Sequence, residues 1–461
     1  MKKVSRIILS GHKLLKQKAR EILAIDYDVS KRAVGNEGIL HLLESTTVGM
    51  LDRKVKHGEN LSFEEAFCGM CYVLAATNAH FYEAYRGLFE RAYGNTNFTS
   101  EKALAIASSF LSLMAAKESL NYLTAEEIAG MVAAGMMDTV ISLDVPRVVE
   151  TCGMGGDKGF RRSRVGISKK TINVSTLSAL VLSAIGLPAA KHGSYANTSA
   201  VGSTEAIELF GAKTSMISEA EVLDVLEKAN FCFFDAHWCK TIHDLSHLLM
   251  METINHVIGP MTPPFSSKTE VNKLMGVNEK IHPKTVAEAY AILHQKRKQN
   301  VGGVIIVCGL DEKARGIDPL NFATVKKHAI VDEVSPYVSV VSATLKGEYL
   351  GTWMLSPEDF GVSIDAEKIQ IVNKQEEIQE ANIAALSGAN SELADYLAVN
   401  AALGLYAAEY LSRNDAITPN GLNHHYLREC FRRCRKAISS GAAKNVLDGY
   451  VRVSKNVLLL T

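Results

Sequence analysis

Residues 147–157 read Arg-Val-Val-Glu-Thr-Cys-Gly-Met-Gly-Gly-Asp, and this stretch decides the fold. Its first half, 147–151, is a short β-rich run, set off by Pro146 from a long helical pattern upstream. Its second half places three glycines within four residues, Gly153, Gly155 and Gly156. Backbone amides can converge on an anion there, because no side chain blocks close approach and positive φ is free. The spacing is neither GxGxxG nor GxxxxGK[ST], so the dinucleotide fingerprint and the P-loop both fail. Alone, such a loop serves equally well as an ordinary tight turn.

Downstream, β-rich runs alternate with helical stretches. The runs are 187–190, 231–234, 304–307 and 338–345, and the helices include 176–185, 204–210 and 219–228. That alternation predicts an α/β fold with a mainly parallel sheet covered on both faces. Residues 338–345 and 349–355, joined by Lys346-Gly347, read as an antiparallel hairpin at the sheet edge. Helices at 391–412 and 426–441 close the chain. Upstream, apolar residues recur at three-to-four spacing, and Ser62-x-x-Glu65 and Thr124-x-x-Glu127 are capping boxes. The expected organisation is a helical domain over 1–145, with 241–258 packing back on it, and an α/β domain over 146–461.

Composition narrows the function classes. The 461 residues carry 50 basic and 50 acidic side chains, so no net charge pulls the chain toward nucleic acid or acidic membranes. Eight cysteines without a repeated CxxC pair fit a reduced compartment, and the expected location is cytoplasmic. The longest apolar run, 177–190, is broken by Ser178, Ser183, Gly186 and Pro188, so no membrane helix is predicted. The first twenty residues hold seven Lys/Arg around an apolar core too short for a signal peptide, and they read as a basic amphipathic helix.

Three further loops follow predicted strands or open helices. Asn173-Val-Ser175-Thr176 puts hydroxyls at a helix entrance, either a phosphate seat or a plain N-cap. Lys191-His192-Gly193, leading through Ser194, Thr198, Ser199 and Ser203, is a second candidate anion loop, or simply a polar surface loop. Gly309-Leu310-Asp311-Glu312 offers adjacent carboxylates, suited to magnesium on a pyrophosphate or to a solvated turn. The combination of three anion loops and a carboxylate pair on one sheet is what carries weight.

In this order, with Ile258-Gly259-Pro260 and Ser356-Pro-Glu-Asp-Phe-Gly361, these motifs resemble the anthranilate phosphoribosyltransferases of the nucleoside phosphorylase/phosphoribosyltransferase family (glycosyltransferase family 3 fold). The resemblance runs from about Leu61 to Val453. It implies transfer of phosphoribose from phosphoribosyl pyrophosphate (PRPP) to an aromatic amine, anthranilate first, as in tryptophan biosynthesis, with magnesium as cofactor. It implies that Gly153, Gly156, Asp157, Thr171, Asn173, Ser175, Thr176, Lys191, Gly193, Ser199 and Ser203 hold PRPP. By the same resemblance Ser175, Asp311 and Glu312 meet magnesium, Gly153, Ser194 and Ser246 face the acceptor, and Lys191 and His192 are the catalytic candidates. A homodimer joined through the helical domain is implied as well.

The chain also departs from the family pattern. Met154 replaces a threonine, Ser194 and Tyr195 replace an asparagine and an arginine, and the arginine expected to grip the anthranilate carboxylate falls on Ser246. Loss of one charge-assisted hydrogen bond weakens binding about tenfold or more. An insertion at 158–170 carries Arg161, Arg162, Arg164, Lys169 and Lys170 and reads as a basic lid over pyrophosphate. His237-x-Cys239 with His243 and His247 has zinc-like spacing but coincides with the acceptor segment. The alternatives are another aromatic or heterocyclic acceptor, a nucleoside phosphorylase, and a nucleic-acid-binding relative.

Overall fold

Hydroxyl side chains start the helices of the N-terminal part. In the computed structural model, which describes residues 35–94, 97–163, 166–196, 199–216, 218–236 and 253–456, Ser62 caps α1 (Phe63–Thr77) and Thr124 caps α2 (Ala125–Gly135). Both expected capping boxes close, with Glu65 and Glu127 reaching back to the cap amides. Chain contacts divide the protein into two units, Met1–Ser142 with Ala236–Pro264, and Leu143–Asp235 with Phe265–Thr461. In the first unit α1 packs on α2 and on the helix Ser100–Ser119. Of the helix expected over 241–258, residues 241–252 lie outside the described residues, and Asn255–Ile258 is a short helix that contacts α2.

Glu127 does more than cap. Its carboxylate, fully buried, accepts from the Leu61 amide, the Thr124 amide and hydroxyl, and the Lys117 ammonium. Lys117 is itself buried and also donates to Asn60. Such a pair is held by its hydrogen bonds, and removing one partner strands the other charge.

The strands of the second unit include β1 (Arg147–Gly153), β2 (Arg161–Ser163), β3 (Gly166–Lys170), β4 (Ala189–Gly193), β5 (Phe231–Asp235), β6 (Glu270–Gly276), β7 (Asn300–Leu310), β8 (Ala329–Val331), β9 (Val338–Leu345), β10 (Glu348–Leu355) and β11 (Ile371–Val372). Its main sheet is ordered β10-β9-β7-β6-β1-β4-β5, with β8 on β7. The strands from β7 to β5 in that order run parallel, and β8, β9 and β10 add antiparallel pairing. The expected α/β fold with a mainly parallel sheet is borne out. β7 is buried along nearly its whole length, as a strand covered on both faces must be. The expected edge hairpin is β9–β10, turned by Lys346 and Gly347, both at positive φ.

Several elements escaped the sequence reading. β6 was hidden because Glu270, Asn272 and Lys273 interrupt its apolar run. The insertion at 158–170 contains the hairpin β2–β3, extended by β11 into a small sheet of its own. The helix expected over 391–412 ends as α-helix at Leu405 and continues as one π turn, Tyr406–Tyr410. There the Ala408 carbonyl accepts from the Arg147 guanidinium of β1.

Replacing Glu127 with alanine should cost about 3–5 kcal/mol in urea unfolding, because Lys117 is left buried and unpaired. The double variant Lys117→Met/Glu127→Leu should recover most of that loss.

Candidate functional site

Strand order fixes where a ligand belongs. β1 has β4 on one side and β6 on the other, so the chain leaves β1 where the strand order reverses. The crevice beyond the strand ends at such a reversal is the usual binding place in an open α/β sheet. The loop Gly153–Asp157 starts there. Gly155 and Gly156 both adopt positive φ, at 66° and 64°. At Gly153 a β-carbon would overlap the Asp332 carboxylate, so the glycine is a requirement of close approach.

The loop is stapled from the neighbouring strand ends. The Gly155 amide donates to Asp332 Oδ2 at 2.7 Å, Asn278 donates to the Gly155 carbonyl at 2.7 Å, and the Met154 amide donates to the Gly276 carbonyl at 3.0 Å. Asp157 pairs with Lys170 at the end of β3. Next to Asp332, the Glu333 carboxylate accepts from Thr171 and from the Tyr396 hydroxyl. Asp157, Asp332 and Glu333 therefore cluster beside the glycine loop, and the Lys170 ammonium faces all three.

The electrostatics record a shortage of positive charge. Burial and the neighbouring Asp157 raise Asp332, and Lys170 only partly offsets this. Burial and Asp332 push Glu333 up to about 8. Burial acts against the Lys170 ammonium, but the surrounding carboxylates outweigh it and hold its pKa above the ordinary value.

This geometry corrects the expected acid pair. Asp311 accepts from the Lys313 amide and pairs with His328, and Glu312 is exposed in the segment between β7 and β8. The segment after Leu310 makes an excursion and returns through β8, which pairs with Gly309 and Leu310. That return delivers Val331-Asp332-Glu333 to the loop, and so Asp332 and Glu333, not Asp311 and Glu312, stand beside Gly153. The sequence held the same signal at both places, an Asp-Glu pair after a β-rich stretch. Only the pairing of β8 with β7 decides between them.

The other expected residues gather around the same strand ends. Asn173 precedes α3 (Val174–Ala184) but does not cap it with its side chain. Its amide and side chain exchange hydrogen bonds with Asn382, and it donates to the Val201 carbonyl. Ser175 and Thr176 occupy the first turn of α3, where amides lack intrahelical acceptors. Thr151 of β1 holds the Ser175 carbonyl, and the Thr176 hydroxyl is buried without a hydrogen-bond partner among the described residues. Lys191 and His192 end β4, both buried, and the Lys191 ammonium donates to the His192 carbonyl at 2.7 Å. Burial lowers Lys191 to about 8. Burial, with Lys273 and Lys191 nearby, lowers His192 to about 3.

Gly193 lies against Ser203, the first residue of the helix Ser203–Leu209, and Ser199 donates to the Val201 carbonyl. The Ser194 hydroxyl donates to the Tyr195 carbonyl, and the Tyr195 hydroxyl is tied to the Glu208 carboxylate. Ser246 and the group His237, Cys239, His243 and His247 lie outside the described residues, as do Arg164 and Thr198. Among the described residues no three His, Cys, Asp or Glu side chains converge on one metal position, and no helix is long and apolar enough to cross a membrane.

A family model described as glycosyl transferase family, a/b domain, matches residues 146–444. The anthranilate phosphoribosyltransferase of Pyrococcus abyssi is 30% identical over 77% of this chain and 89% of its own length. That of Pyrococcus furiosus is 31% identical over 69% and 85%. Among solved structures, the anthranilate phosphoribosyltransferase from Saccharomyces cerevisiae in complex with PRPP and Mg matches with a TM-score of 0.61 at 21% identity, covering 89% of this chain and 98% of that one. The enzyme from Thermus thermophilus matches with 0.61 at 23% identity, over 88% and 99%. These two structural matches are a likeness of fold.

The depressed His192 has a consequence for stability. The unfolded chain takes up its proton near the ordinary value of about 6.5, and the folded chain resists until about 3. This contribution is fully present above pH 6.5 and is lost as pH falls toward 3. Chemical denaturation should show His192→Asn losing about 2 kcal/mol less than the parent between pH 7 and pH 5.

Proposed function

We infer the reaction from the family: the chain belongs to the glycosyl transferase family that includes the anthranilate phosphoribosyltransferases, and it transfers phosphoribose from PRPP to anthranilate. The observation that carries this reading is the glycine loop at the strand-order reversal, with the Asp332 carboxylate packed against it and Glu333 next in the chain. The acceptor nitrogen attacks C1 of the ribose, and the bond from C1 to pyrophosphate breaks with its electron pair leaving on oxygen. Such chemistry asks the protein for positioning and charge stabilisation. The Gly156 amide and the first turn of α3, with Ser175 and Thr176, serve the phosphates, and Gly153 lets the loop approach closely. Asp157 and Thr171 border the ribose side, and Lys191 supplies positive charge to the leaving group. Asn173, Gly193, Ser199 and Ser203 complete the donor's surroundings.

The residues fit a magnesium ion. Three carboxylates share Lys170, and two of them are raised by burial and by the carboxylates beside them. All the donors are hard oxygens, as magnesium requires, and an ion that arrives on a pyrophosphate needs only one or two protein carboxylates. Asp332 and Glu333 would hold it, with Ser175 nearby. Bound magnesium neutralises charge on the departing pyrophosphate. Tyr195, turned into Glu208, and Ser194 stand in for the arginine and asparagine of the family pattern, so the acceptor is held differently from its relatives.

Pyrophosphate release from magnesium–PRPP, with anthranilate fluorescence followed in the same cuvette, tests the reading. Asp332→Asn with Glu333→Gln should lower kcat about a hundred- to a thousandfold, given that charge stabilisation at the leaving group supplies roughly 3–4 kcal/mol. Asp311→Ala with Glu312→Ala should stay within about threefold of the parent. Anthranilate-independent behaviour in the parent would remove the acceptor assignment.

A homodimer through the helical unit completes the proposal. Four of the exposed large apolar side chains, Leu42, Met50, Leu120 and Tyr122, belong to that unit. Light scattering should give about twice the 50.2 kDa chain mass. Leu120→Asp with Tyr122→Asp should return the mass to that of one chain.

A further inference from the structure

One polar cluster inside the sheet has no part in the proposed donor site. The register of β1 with β6 sets Glu150 beside Lys273, and the register with β4 sets it beside Ala190. Side chains alternate along a strand, so His192, two residues beyond Ala190, points to the same face as Glu150. Glu150 and Lys273 are fully buried, and the Lys273 ammonium is paired with Glu150 Oε2. The other carboxylate oxygen, Oε1, has no hydrogen-bond partner among the described residues and stands 3.8 Å from His192 Nδ1. His192 is only 3% exposed, and neither of its ring nitrogens has a hydrogen-bond partner among the described residues. Two buried polar atoms without other partners thus face each other.

The charges decide which proton arrangement this geometry accepts. Burial raises Glu150, and Lys273 opposes that shift; Lys273 is itself lifted above the ordinary lysine value by its acidic neighbours in spite of burial. The Lys273 ammonium paired with Oε2 favours the ionised carboxylate. The imidazole faces Glu150 from β1, Lys273 from β6, Lys191 on its own strand and Asp235 from β5. Burial and the two cations keep it neutral. A neutral imidazole carries one N–H and one lone pair, and the partner at one nitrogen selects the tautomer. A lone pair aimed at a carboxylate is repelled, whereas an N–H is attracted.

We infer that Glu150, anchored by Lys273, is a positioning residue that fixes His192 as its Nδ1–H tautomer and keeps its Nε2 unprotonated inside the sheet. The assignment does not depend on the transferase reading.

The test uses the full chain labelled with ¹⁵N-histidine, the His192 signals being assigned by their loss in His192→Asn. The parent should show a protonated Nδ1 and an unprotonated Nε2. In Glu150→Leu/Lys273→Met, which removes both charges together so that neither is stranded, the Nε2–H form should dominate. A parent that shows Nε2–H, or a tautomer unchanged in the double variant, overturns the inference. The parent spectrum alone decides if the variant does not fold. Absence of anthranilate turnover in the parent would count against the transferase reading, and the tautomer measurement would still judge Glu150.

Discussion

The proposed donor site depends on one crowded contact, the meeting of Asp332 with the glycine loop. A β-carbon at Gly153 would strike its carboxylate, and one at Gly276 would overlap its carbonyl. The Gly155 amide then closes on the same carboxylate. Two strands must therefore end in glycine for the return from β8 to reach the loop. The contact also concentrates negative charge at the strand-order reversal, and Lys170 from the inserted hairpin is the counterweight.

Much of this was legible in the sequence. Residues 147–157 announced a strand and an anion loop, and 338–355 announced the edge hairpin, because local periodicity and turn chemistry decide both. The acid pair was legible as a type and not as a place. Asp311-Glu312 and Asp332-Glu333 are the same two letters after similar stretches, and the choice between them is made by β8 pairing back on β7. Long-range pairing of that kind leaves no local trace. β6 was missed for a related reason: Lys273 and Asn272 look like surface residues until Glu150 and the Gly303 amide are found opposite them.

The basic insertion shows how a family site is altered without rebuilding it. The hairpin β2–β3 leaves the chain between Asp157 and Thr171, and both residues keep partners in the acid cluster. Its outer edge is tied to β11 rather than to the main sheet. Lys170, its last residue, carries its charge to the carboxylates.

The helical unit is written in two pieces, Met1–Ser142 and Ala236–Pro264, with Leu143–Asp235 between them. The His256 ring, from the second piece, meets Glu118 at 2.7 Å. On a ribosome that delivers the chain from its N-terminus, the first piece must wait for its complement while β1, β4 and β5 of the other unit's main sheet emerge. Neither unit can finish before the other has begun, and the two foldings are interleaved in time.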